Sequence, residues 1–150
     1  MYKNMENPND NQFKFFIVDD DVFCASMHEQ YLRNLNYEDI TYYDNGNDCL
    51  NNLDKNPDII FLDHNMDGMT GFDVLKKIKR TNPNIFVVMV SGQDNIKTAV
   101  DALKYGAFDY VIKDTNVSDK MAIIIDKIIK VKEELRKKNP SLFQRIISNF

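Results

Sequence analysis

The chain has 150 residues, 43% hydrophobic and 28% charged, with 19 Lys and Arg against 23 Asp and Glu for a net charge of −4. That length suits one ordinary domain able to bury about two-thirds of its unfolded surface. The acidic balance argues against a nucleic-acid surface, which needs a clustered basic face. The one dense basic stretch, Lys127 to Lys138, is interleaved with Glu133 and Glu134 and reads as a solvated helix face. Cys24 and Cys49 are isolated, with no C-x-x-C and no neighbouring His pair. They fit a reduced intracellular protein better than a disulfide or zinc site. No apolar run approaches the roughly 18 residues that span a bilayer. Residues 1–12 are polar, Asn-rich and without the apolar core of a secretory signal. The expectation is a soluble, cytoplasmic chain with a disordered leader over 1–12.

After the leader, Phe13 to Val18 reads as a strand. Val22 to Leu35 reads as a helix, with Phe23, Met27, Tyr31 and Leu35 at helical spacing. Ile40 to Tyr43 is a short strand, and Asn45-Gly46 turns into a short helix around Cys49, Leu50 and Leu53. Asn56-Pro57-Asp58 ends that helix and launches the strand Ile59 to Leu62. An irregular stretch follows, His64 to Thr70, with Gly68 and Gly71 as breakers. Phe72, Leu75 and Ile78 then mark a helix that stops at Thr81-Asn82-Pro83. Ile85 to Val90 is the next strand, Ile96 to Tyr105 a helix containing Val100 and Leu103, and Phe108 to Ile112 the last strand. A long helix runs from an N-cap at Ser118 to Lys137, carrying Met121, Ile124, Ile125, Ile128 and Leu135.

This alternation predicts an α/β fold, (βα)5, with a parallel sheet covered by helices on both faces. The domain is placed at 13–137. Residues 138–150 form a tail whose Leu142, Phe143, Ile146, Ile147 and Phe150 share one side of a short amphipathic helix. That stripe would pack on the domain, on a second copy or in a target's groove.

Polar residues end the strands in a pattern. Phe15-Phe16-Ile17-Val18 runs into Asp19-Asp20-Asp21, and Ile59-Ile60-Phe61-Leu62 into Asp63. Phe86-Val87-Val88-Met89-Val90 ends in Ser91, and Tyr110-Val111-Ile112 in Lys113. In a parallel α/β sheet these ends converge on the ligand-binding edge. Acids crowded at the end of a buried strand repel one another and lose hydration, so something must offset that cost. Carboxylates, a hydroxyl and an ammonium suit a divalent cation and a phosphoryl group. Plainer readings stand beside this one. Asp21 begins a helix and serves best as its cap. Asp19 and Asp20 could be caps too, but adjacent acids beyond the first have no such need. Alone, Ser91 and Lys113 would be surface residues and Tyr110 a packing residue. His64 reads as a loop residue facing solvent, and His28 has no partner in sequence.

Four segments occur in order at these strand ends: Ile17-Val18-Asp19-Asp20, Phe61-Leu62-Asp63-His64-Asn65-Met66 with Gly71, Met89-Val90-Ser91-Gly92, and Ala107-Phe108-Asp109-Tyr110-Val111-Ile112-Lys113. Together they resemble the receiver domain of bacterial two-component response regulators, over about residues 13–135. The resemblance implies a flavodoxin-like sheet of strand order 2-1-3-4-5. It implies that Asp63 accepts a phosphoryl group from the phosphohistidine of a sensor histidine kinase or phosphotransfer protein. Mg2+ would be held by Asp19, Asp20, Asp63 and the backbone carbonyl of Asn65. Lys113 would pair with a phosphoryl oxygen, and Ser91 and Tyr110 would form the switch that reports phosphorylation. Such a chain catalyses only its own phosphoryl transfer and dephosphorylation. Since no output domain fits after Lys137, a single-domain regulator is expected. Its signal would leave through a downstream protein target, or a homodimer, on the surface of the fourth helix, fifth strand and fifth helix, with no direct nucleic-acid or membrane contact.

Two residues depart from the family pattern. Asp114 follows Lys113 where the family usually has Pro in a cis peptide. A non-proline cis bond costs about 2.5–4 kcal/mol, so a trans link is expected, with the added acid weakening Lys113. Asp67 replaces the Pro common in the loop after the acceptor. Two other readings stay open. One is a pseudo-receiver used only for protein contacts. The other is a haloacid-dehalogenase-like phosphatase built on Asp19-x-Asp21, Ser91 and Lys113, which leaves Asp63 without a role and lacks a later acidic pair.

Overall fold

The computed structural model describes residues 12–92 and 95–138. The expected leader and the apolar stripe of residues 141–150 lie outside the described residues. Within them, the buried apolar runs become five strands: β1 Phe15–Val18, β2 Ile40–Tyr43, β3 Ile59–Asp63, β4 Phe86–Ser91 and β5 Asp109–Ile112. Five helices alternate with them: α1 Val22–Asn34, α2 Gly46–Asn51, α3 Gly71–Thr81, α4 Ile96–Lys104 and α5 Val117–Lys138. A short 3-10 turn, Leu53–Lys55, follows α2. All neighbouring strands are parallel and the order is β2-β1-β3-β4-β5.

The strands read as unbroken apolar runs because both sheet faces are covered. Side chains alternate between two cores. Phe15, Ile17, Ile59, Phe61, Val88 and Val90 face α1 and α5. Phe16, Val18, Ile60, Leu62, Val87 and Met89 face α2, α3 and α4. From β1, an inner strand next to the edge, the chain builds that edge with β2, then crosses to β3. The carboxyl ends of β1 and β3 therefore flank the switch point, where open α/β sheets leave a crevice.

Two elements differ from the sequence reading. In α1 the buried residues are Ala25, His28 and Leu32. Phe23 is 74% exposed, Met27 and Leu35 are also exposed, and Tyr31 is half-buried. The apolar residues noted for their spacing thus lie mostly on the outer face, with Tyr31 at its border packing on the core. The inner face uses a small Ala where the helix meets the sheet, and it includes His28, which is a core histidine. In α5 the helix begins at Val117, so Ser118 lies inside it rather than at its cap. The Asp114 carboxylate holds the Asn116 amide at 2.8 Å and the Asn116 carbonyl accepts from the Lys120 amide at 3.0 Å, so the first turn is organised upstream of Ser118. Leu135, named with Met121, Ile124, Ile125 and Ile128 for its spacing, is exposed.

Candidate functional site

Asp19 leaves β1 with its amide bonded to the Tyr43 carbonyl at 3.1 Å, one last rung of the β1–β2 ladder. Its Oδ1 accepts the Asp21 amide at 2.9 Å, tightening the turn into α1. Asp21 is the N-cap of α1, accepting from the amides of Phe23 at 3.0 Å and Cys24 at 3.3 Å. Those amides hold its carboxyl below the usual range. With Oδ1 committed to these amides and Oδ2 accepting the Cys24 thiol at 3.3 Å, Asp21 is not the free acid that the phosphatase reading requires.

Asp63 closes β3 and is 4% exposed. Its position depends on Gly71, whose amide donates to the His64 carbonyl at 3.0 Å. A Cβ on Gly71 would collide with the Asp63 carbonyl oxygen and lie 2.7 Å from the His64 Cα. Only glycine lets α3 start this close to the end of β3.

The three acids meet. Asp19, Asp20 and Asp63 each offer a carboxylate oxygen, all within 4.8 Å of one another. Lys113, just beyond β5, sends Nζ to Asp19 Oδ2 at 2.9 Å and to Asp63 Oδ1 at 3.1 Å. Its amide donates to the Ser91 carbonyl at 2.7 Å, joining the ends of β4 and β5. Ser91 is fully buried at the end of β4. Tyr110 is half-buried and packs on the core beneath α3 and α4. Asn65 lies exposed in the β3–α3 loop, and Asp20 is exposed at the rim.

Burial raises the Asp63 carboxyl to about 6, the neighbouring Asp19 carboxylate adding to the rise and Lys113 offsetting part of it. For Lys113, burial works against the ammonium, but the bonds and charges of Asp19 and Asp63 outweigh it and raise its pKa. One ammonium thus serves a cluster of three carboxylates and pairs with two of them. The donor set is all oxygen, crowded and under-neutralised, which is what a hard dication such as Mg2+ fits.

Asp114 does not turn toward Lys113. No peptide among the described residues is cis. The Asp114 carboxylate pairs with Lys120 Nζ at 2.9 Å and with the Asn116 amide, and both hold its pKa down. The expected weakening of Lys113 is corrected accordingly: its partners are Asp19 and Asp63.

His64 is also corrected. Its ring packs edge-on against Phe72 with centroids 4.4 Å apart, and Phe72 meets Tyr105 at 5.9 Å. Nδ1 is buried without a hydrogen-bond partner, and burial lowers the pKa. The aromatic edge of α3 draws the ring in from solvent. Cys49 is wholly buried, its thiol pushed up to about 12 by burial, so it is an inert core residue.

One contact at the site escaped sequence reasoning. The Tyr42 hydroxyl, from β2, donates to the Asp19 carbonyl at 2.7 Å. Nothing in a four-residue edge strand marks such a bond, because it depends on strand register.

Comparison with known proteins agrees with this geometry. The response regulator receiver domain model matches residues 15–125. The regulatory protein LuxO of Vibrio cholerae serotype O1 is 31% identical over 121 residues, covering 80% of this chain and 26% of that protein. The chain therefore spans about a quarter of the length of the curated relatives it matches. The receiver domain of NtrX from Brucella abortus has a TM-score of 0.72 at 28% identity, covering 78% of this chain and 98% of that one. The CheX–CheY–BeF3–Mg2+ complex from Borrelia burgdorferi gives a TM-score of 0.72 at 26% identity, over 78% of this chain and 89% of that one.

Proposed function

The chain belongs to the response regulator receiver domain family, and on that premise we propose that Asp63 is its phospho-acceptor in two-component signal transduction. The observation that carries this is the buried Asp63 carboxylate, 3.1 Å from Lys113 Nζ and clustered with Asp19 and Asp20 at the switch point of the sheet.

The step is a covalent transfer. An Asp63 carboxylate oxygen attacks the phosphorus of a phosphohistidine on a sensor kinase or phosphotransfer protein. A P–O bond forms, the P–N bond breaks, and the electron pair leaves with the imidazole. Lys113, shared between Asp19 and Asp63, is the ammonium placed to follow the new charge onto a phosphoryl oxygen. Ser91, at the neighbouring strand end, supplies a hydroxyl to the phosphoryl group, and Tyr110 is the aromatic ring that repacks in response. Asp19, Asp20, Asp63 and the carbonyl of Asn65 would hold Mg2+. When bound, Mg2+ supplies neutralisation of the carboxylates and the phosphoryl oxygens. The Borrelia CheY was seen with BeF3 and Mg2+, which supports the same chemistry here. Receiver domains are signalling modules, and this one acts only on its own aspartate.

Output leaves through protein contacts. Ile96, Val100 and Leu103 of α4 and Ile123 of α5 are exposed, an apolar surface that fits a downstream target or a second copy. Nucleic acid and membrane are not its direct partners. Among the described residues no helix is long and apolar enough to cross a membrane, and a cytoplasmic location fits the kinase partner.

Fluorine NMR of beryllofluoride binding tests the site. Bound fluorine signals should form with Mg2+ present, vanish with chelator, and be absent in Asp63→Asn. A signal that persists in that variant would reject Asp63 as the acceptor.

A further inference from the structure

We propose that Tyr42 is a positioning residue for the cation site, its hydroxyl fixing the peptide that carries Asp20. The inference rests on the reading of Asp19, Asp20 and Asp63 as metal ligands.

Asp20 is the least supported of the three acids. It is exposed, and the one described hydrogen bond to its carboxylate is the Asp67 amide at 3.4 Å. That is well beyond the usual distance of about 2.9–3.0 Å for N–H···O bonds. Asp19 is pinned by Lys113 and by the Asp21 amide, and Asp63 by Lys113 and its place in β3. Repulsion from these neighbours drives the Asp20 carboxylate toward water. Whatever holds it in the cluster must act through the backbone.

That backbone is tied to β2 on both sides of Asp19. The Asp19 amide donates to the Tyr43 carbonyl at 3.1 Å. The Asp19 carbonyl, part of the peptide leading into Asp20, accepts the Tyr42 hydroxyl at 2.7 Å. β1 ends at Val18, paired with Tyr43, so the Asp19 carbonyl lies one residue past the last strand pair. Tyr42 pairs with Ile17, and its side chain reaches along the strand to cap this carbonyl. A planar peptide whose carbonyl is held fixes the place of the Asp20 Cα, and the Asp21 amide held by Asp19 Oδ1 restrains the chain on its other side, so together they direct the Asp20 Cα–Cβ bond. The Tyr42 ring also packs on the α1–α5 core. Packing is therefore its ordinary role, and Tyr42→Phe separates the two by keeping the ring and deleting only the hydroxyl.

Mg2+ affinity measured by isothermal titration calorimetry distinguishes these. Loss of a hydrogen bond behind a metal ligand typically costs 10–100-fold in affinity, and about tenfold is expected for Tyr42→Phe at this exposed site. Cooperative thermal unfolding of the metal-free variant should be retained. Phosphorylation by acetyl phosphate should fall at limiting Mg2+ and return to the wild-type rate at saturating Mg2+, a recovery that a general packing defect does not give. Wild-type affinity in Tyr42→Phe, or a rate that stays low at saturating Mg2+, overturns the inference alone, provided Asp20→Asn has lost Mg2+. Failure of the wild-type protein to bind Mg2+ overturns it together with the reading beneath it.

Discussion

Asp63 is a carboxyl held where its charged form is costly. Its folded pKa of about 6 lies above its ordinary 3.8, so the native state binds the proton more tightly than the unfolded chain. The sign follows from linkage. The Asp63 contribution to metal-free stability is greatest at acid pH, falls as pH rises from about 4 to about 6, and levels off once both states are ionised. A shift of this size corresponds to a loss on the order of 3 kcal/mol. In denaturant unfolding in chelator across that range, the wild-type chain should lose stability relative to Asp63→Asn as pH rises. A wild-type stability that instead climbs relative to Asp63→Asn between pH 4 and 6 would mean that Lys113 dominates and the carboxylates are not crowded. The residues with chemistry at strand ends were legible from sequence because strand periodicity and parallel topology bring such ends together. Tyr42, His64 and the outward turn of Asp114 were not, since each depends on what lies across from it: a β1 carbonyl, the Phe72 ring and the Lys120 ammonium.

At the level of elements, the strands were readable within a residue or two because burial on both faces leaves long apolar runs. The face of α1 was not. Phe23, Met27, Tyr31 and Leu35 form a helical stripe as regular as any core, but the sheet takes Ala25, His28 and Leu32 instead. Periodicity finds a stripe without saying which of two stripes faces inward, and a small residue at a close contact carries no hydrophobic signal. Two substitutions separate the faces. Phe23→Ala, at an exposed position, should change stability by less than about 0.5 kcal/mol, whereas Leu32→Ala should cost about 2–5 kcal/mol. Equal losses in urea unfolding would return Phe23 to the core. α5 gives the same lesson at its end: Met121, Ile124, Ile125 and Ile128 are buried, while Leu135 continues the stripe into solvent.

For the whole molecule, the acidic site sits at the carboxyl edge of the sheet and the exposed residues of α4 lie to one side of it. Ser91 ends β4 and Lys113 follows β5, and on the proposed reading a charge change at Asp63 would reach that side through β4 and β5. Such a device is a two-state equilibrium biased by a local charge. Sedimentation velocity with and without beryllofluoride and Mg2+ should show association, or binding of a target, favoured by the modified form. Val100→Glu should abolish that preference while leaving modification intact. An unchanged profile with no partner preference would remove α4 from the output surface. Phosphorylation of Asp63 is a covalent change, and intact mass spectrometry reads it as a gain in mass. Incubated with acetyl phosphate and Mg2+, the wild-type chain should gain one phosphoryl group, lose it at alkaline pH as an acyl phosphate does, and gain none with chelator or as Asp63→Asn. A phosphoryl adduct of the same mass on Asp63→Asn, or none on the wild-type chain, would contradict the assignment of Asp63.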